Sequence, residues 1–260
     1  MIPVDAILFP GVAGWQIAGL CLAYALAFLV KGVFGYGAVP PVIVVGSLLM
    51  DPHEAVILAG LVNLASHLLL VPQGIRTGDR ALAGHLTLFI LPALAVGVVI
   101  FESLPTDGLQ VTVGAALLAI LFLEGSPAWR RLEPVAARRH RAFSTVSAVI
   151  TGLLSGIVGA GAMIFLSVYL RTRIGDLLVF RGTVILILTA ILVWRTVLFL
   201  GAGLIDTTIA LQALVMLPVA AAGLMLGSRL ARTASDAAFF TAYRIFLIVA
   251  SLLLIARGLI

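Results

Sequence analysis

Lys31-Gly-Val-Phe-Gly-Tyr-Gly-Ala-Val-Pro-Pro41 interrupts an otherwise apolar stretch with one lysine, three glycines and two adjacent prolines. Glycine releases the backbone from helical angles, whereas Pro40 and Pro41 cannot donate helical hydrogen bonds but suit a helix's first turn. The stretch predicts a helix that breaks near Gly35 and restarts near Pro40. In a bilayer, broken backbone survives only when buried in protein or lining a wet cavity. A second copy, Ser155-Gly-Ile-Val-Gly-Ala-Gly-Ala-Met-Ile-Phe165, keeps the pattern G-x-x-G-x-G at a spacing of 124 residues. Two interrupted segments in corresponding positions are a sequence pointer to a transporter's binding site.

Composition supports the membrane reading. Of the 260 residues, 62% are hydrophobic and 10% charged, with a mean hydropathy of +1.23. Soluble domains carry about 25% charged residues. One cysteine, Cys21, excludes an internal disulfide and cannot alone build a metal site. The formal charge of +5 sits in short arginine-bearing loops between apolar runs, which argues against a nucleic-acid partner. No Lys or Arg precedes Lys31, so the first apolar run is expected to be a retained helix rather than a signal peptide.

Outward from the first break, an apolar helix is expected from about Val12 to Val30 and a short one from Pro40 to Met50. A further helix reaches about Val71, and a polar loop covers Gln73 to Arg80. Apolar runs follow at Leu82–Phe101 and Leu109–Leu123. The arginine-rich linker 125–142 separates this first half, 1–124, from a second, 143–260, in which the pattern recurs. Leu88-x-x-Leu-Pro92-x4-Gly97 matches Leu214-x-x-Leu-Pro218-x4-Gly223 at an offset of 126, close to that of the glycine motif. The expected fold is an all-α polytopic membrane protein of two inverted repeats. Each has about five helical elements, giving eight full spans plus Gly-broken short or re-entrant helices. Basic short loops stay in the cytoplasm. That places the linker inside and both termini outside, with Arg257 as the one dissenting charge.

The candidate site residues are Lys31, Gly35, Tyr36, Gly37, Asn63, His67, Gly159, Gly161 and Arg195. Each break offers backbone N–H groups and a restarting helix's positive end, which suits an anion; glycines that merely let helices pack closely are the alternative. Lys31 beside the first break either faces a cavity or snorkels to an interface. Arg195 lies deeper in its run than Arg181, a cytoplasmic-interface residue, and reach to the outer headgroups is its alternative. Asn63 and His67, spaced i, i+4, read as helix–helix polar ties or as part of a substrate path, and Tyr36 as a donor or a gap filler. No catalytic, metal or nucleotide constellation is visible, and no cofactor is expected. The acids Asp51, Glu54, Glu102, Glu124, Asp176 and Asp206 all flank spans.

The size, the two halves, the central basic loop and the Gly-rich break opening each half resemble the TauE/SafE family of bacterial membrane permeases. Family members commonly read G-x-G-G-G followed by Pro. The copies here read Gly35-Tyr-Gly37-Ala38 and Gly159-Ala-Gly161-Ala162, and only the first has the prolines. The resemblance implies secondary export of a small sulfur-containing anion, such as sulfite or a short organosulfonate, across the bacterial inner membrane. The partners expected are that anion and the lipid bilayer, with a homodimer compatible; an anion channel and a structural or assembly subunit are the alternatives.

Overall fold

A computed structural model describes residues 9, 11–34, 37–124, 126, 132, 134, 136, 138–159, 163–230 and 236–260. Among these, eleven helices follow one another: α1 Gly14–Phe34, α2 Val39–Leu49, α3 Pro52–Leu68, α4 Val71–Thr77, α5 Arg80–Ser103, α6 Thr106–Glu124, α7 His140–Ile157, α8 Met163–Arg173, α9 Leu177–Gly201, α10 Thr207–Leu230 and α11 Asp236–Gly258. The acids that flank the apolar runs act as caps. Asp79 accepts from Leu82 N at 2.9 Å, Asp176 from Leu178 N and Val179 N at 2.7 and 3.0 Å, and Asp206 from Ile209 N at 2.7 Å. A side-chain oxygen there satisfies amides that the helix leaves open.

Five of the helices, α1, α5, α6, α9 and α10, are each long and apolar enough to cross a membrane. The pair α3 and α4, bent at Leu69–Leu70, makes a sixth if read as one span. Their outward faces are as apolar as their inward ones. In α5, Leu86, Ile90 and Leu94 are buried while Leu88 is 71% exposed, and Val96 and Val99 are exposed too. A helix apolar on all sides belongs in lipid.

One expectation needs correcting. The polar stretch after Val71 is not a loop up to Arg80, because Val71–Thr77 is helical. Pro72 sits in its first turn, Thr77 Oγ1 donates to Gln73 O at 2.9 Å, and Arg80 Nη2 donates to Ile75 O at 2.6 Å. Packing overrides the polar composition here. A Cβ on Gly74 would lie 2.8 Å from Ile185 Cγ2, and one on Gly78 2.6 Å from the backbone of Gly182, so α4 lies directly on α9.

The chain forms two compact units, each drawing on both halves of the sequence. One comprises Met1–Ala65, Pro105–Leu118 and Gly203–Ile260, the other Ser66–Leu104 and Ala119–Ala202. In the first, α1 packs along α10. A Cβ on Gly32 would stand 2.9 Å from Gly227 Cα, and one on Gly223 would collide with Ala25 O. In the second, α7 packs along α5, where a Cβ on Gly156 would stand 2.7 Å from Gly97 Cα and one on Gly97 2.5 Å from Leu153 O. Such backbone-to-backbone seams are how helices associate in lipid, where burial of apolar surface gives no preference between partners. The seam also explains the buried stripe of α7, Ser144, Ser147, Thr151 and Ser155 with Gly152 and Gly156. Ser144 and Ser147 return their hydroxyls to carbonyls of their own helix turn.

The short helix α2 is fastened at its C-terminal end by three neighbours within the first unit. Gln16 of α1 donates to Leu49 O at 2.7 Å, Gln110 of α6 to Ser47 O at 3.3 Å, and Arg257 of α11 to Leu48 O. These carbonyls have no partner within the helix and carry its negative dipole end. Arg257, the charge that dissents from the loop-based topology, caps α2.

Candidate functional site

The first break lies in the first unit. Helix α1 ends at Phe34 and α2 starts at Val39, close to where the glycines and prolines predict. Gly35 and Tyr36 lie outside the described residues. Gly37 adopts φ +95°, a conformation that side-chain-bearing residues rarely take, and its carbonyl accepts from Tyr243 Oη at 2.6 Å. The restart carries no side-chain cap. Pro40 and Pro41 have no N–H, which leaves Val39 as the only amide donor among the first three residues of α2. The wedge of α1, α2 and α11 beside the break holds a pocket of about 260 Å³ lined by Leu26, Val30, Pro41, Val45, Tyr243 and Phe246. Its lining is that of an apolar groove, not of an anion site.

Lys31 is 7% exposed, so it does not reach out to solvent from α1. Its Nζ donates to Asn63 Oδ1 on α3 at 2.9 Å and lies 5.3 Å from the centre of the Phe28 ring. Asn63 and His67 share a face of α3 but serve different neighbours. His67 Nε2 is 3.3 Å from Ile185 O of α9, a contact inside the second unit.

The second break lies in the second unit. Helix α7 ends at Ile157, and the amide of Gly159 turns back onto Leu154 O at 3.2 Å while Gly159 takes φ +78°. Gly161 lies outside the described residues. Against Gly159 rests the guanidinium of Arg195, from the C-terminal third of α9. A Cβ on Gly159 would stand 2.8 Å from Arg195 Cζ and closer still to Nη1. Arg195 is 3% exposed, whereas Arg181 at the start of the same helix is exposed. Its Cζ lies 4.8 Å from the centre of the Phe199 ring, which in turn meets Phe101 at 5.3 Å. Its Nε and Nη2 are fully buried and have no hydrogen-bond partner among the described residues. Each break thus has a buried cation within its own unit, held on the first by a neutral amide and on the second by glycine backbone and an aromatic face.

Tyr243, Phe28 and Phe199 escaped the sequence reading. Tyr243 stands 206 positions from the glycine it holds, and nothing in its own surroundings marks it. The two phenylalanines carry a partial signal, since each lies three or four positions from its cation and so on the same helix face.

A broken-helix bundle with a buried cation at each break is the architecture of a membrane transport protein. The chain matches the family described as "Sulfite exporter TauE/SafE" over residues 20–255 and belongs to it. It is also similar to a "Probable sulfite/organosulfonate exporter TauE" from Cupriavidus necator. The two are 27% identical over 199 residues, covering 75% of this chain and 76% of that one. No solved structure matches the chain.

Proposed function

We propose that the protein is a secondary transporter, working as an exporter, of a small sulfur-containing or carboxylate anion such as sulfite or a short organosulfonate. The observation that carries this reading is the buried guanidinium of Arg195 at the Gly159 break, whose Nε and Nη2 have no hydrogen-bond partner among the described residues. A desolvated charge inside a membrane protein is costly unless it serves a partner, and an anionic substrate supplies one. Family membership and the name of the Cupriavidus relative support the sulfur oxyanion as substrate. The binding group is Arg195 with the backbone around Gly159, and Lys31 with Asn63 is a separate candidate within its own unit. The eight-span arrangement of two inverted repeats belongs to the same reading. It is supported by matched burial at an offset of 126: Pro92 and Pro218 both face outward while Gly97 and Gly223 are both buried.

Reconstituted protein loaded with sulfite on one side of a vesicle tests the proposal. A saturable flux, accelerated by sulfite or methanesulfonate on the opposite side, is the expected result. No flux of any sulfur oxyanion above protein-free vesicles would refute it.

A further inference from the structure

Arg195 is the one charged side chain among the described residues with fully buried nitrogens that lack a hydrogen-bond partner. Which nitrogens these are matters. Nε and Nη2 carry the two N–H bonds that run side by side along one edge of the guanidinium plane, the edge with which arginine clasps two oxygens of one oxyanion. The Cζ of the group lies 4.8 Å from the centre of the Phe199 ring, and Gly159 lies against Nη1, Cζ and Nη2. Among the described acids of the same unit, Asp79 and Asp176 are engaged as helix caps near the start of α9, and Glu102 is exposed. Both nitrogens of the fork are therefore buried and without a hydrogen-bond partner among the described residues.

We infer that this edge is the selectivity element of the transporter. It takes ligands that present two oxygens on one atom, the sulfite, sulfonate and carboxylate class, and discriminates against monatomic anions. Two parallel N–H bonds match two oxygens of such a group, whereas a single halide meets them only with two bent bonds. Lysine in the same place would supply charge without the fork. Gly159 belongs to the same device, because any larger residue would occupy the space of the guanidinium and strain the backbone at φ +78°. This inference rests on the transport reading above and adds the chemical criterion by which the site chooses.

Binding of sulfite, methanesulfonate, acetate and chloride to the purified full-length protein, measured by calorimetry beside the vesicle flux, tests it. In the wild-type protein the three oxyanions should bind at least tenfold more tightly than chloride. In Arg195→Lys that preference should collapse towards unity while the protein remains monodisperse. If Arg195→Lys does not fold, Gly159→Ala carries the test, since its Cβ displaces the guanidinium and should give the same collapse. An oxyanion preference unchanged in the variant, with wild-type flux intact, overturns this inference alone. Absence of sulfur-oxyanion flux in the wild-type protein overturns the transport reading itself.

Discussion

Lys31 and Arg195 are both buried cations, but their surroundings differ in a way that predicts different behaviour. The ammonium of Lys31 is compact and already donates to Asn63 Oδ1. The Nε and Nη2 of Arg195 are buried with no hydrogen-bond partner among the described residues. Removing a charge that meets a desolvated anion costs several kcal/mol of affinity, so Lys31→Ala should weaken sulfite binding by more than tenfold if the first break contributes to the site. The tie to Asn63 predicts a second effect, about 1 kcal/mol of lost stability from an amide oxygen deprived of its partner. Calorimetry and thermal unfolding on the same preparation separate the two. Unchanged affinity with a lowered midpoint would leave Lys31 as a tie between α1 and α3 and rest the anion on Arg195. The neighbours of Lys31 in sequence left burial and snorkelling both open, and its bond to Asn63 could not be read there at all, because that pairing depends on where α3 lies.

At the scale of elements, α2 is the piece whose position most needs explaining, since eleven residues are too few to cross a bilayer alone. Its two ends are fixed differently. Gln16, Gln110 and Arg257 satisfy the last carbonyls, and Tyr243 holds Gly37 O just before the first turn. Tyr243→Phe keeps the ring and removes only the hydroxyl. It should cost about 1 kcal/mol in stability and slow sulfite flux several-fold, because the break then loses the contact that sets its geometry. Flux measured at equal reconstituted protein checks this; an unaltered rate would make the bond to Gly37 a packing detail. The break and the prolines were readable as local chemistry. The helical turn at Val71–Thr77 was not, because its polar residues look like a loop until Gly74 and Gly78 are seen against α9.

For the whole molecule, the distribution of arginines predicts that the linker around Ala136 is cytoplasmic and that Ile260 is periplasmic. Arg257 no longer argues against this, since it caps α2. Reporter fusions at Gly108, Ala136 and Ile260 should give periplasmic, cytoplasmic and periplasmic signals in turn. A cytoplasmic signal at both Ala136 and Ile260 would refute the odd number of elements per half that inversion requires.

Hydropathy, the two glycine motifs and the aspartates at helix starts were enough to determine a helical membrane protein broken at two matched places. All of these are local properties. Transfer of a peptide segment into lipid depends on its own side chains, and a glycine or proline acts on its own backbone. Tertiary structure alone decided that α1 pairs with α10 and α7 with α5, that Tyr243 reaches Gly37, and that the Arg195 guanidinium comes to rest on Gly159. In lipid every apolar face is equally acceptable to its surroundings. Partners are therefore chosen by close backbone approach at small residues and by polar groups far apart in the chain, and neither can be read from one segment at a time.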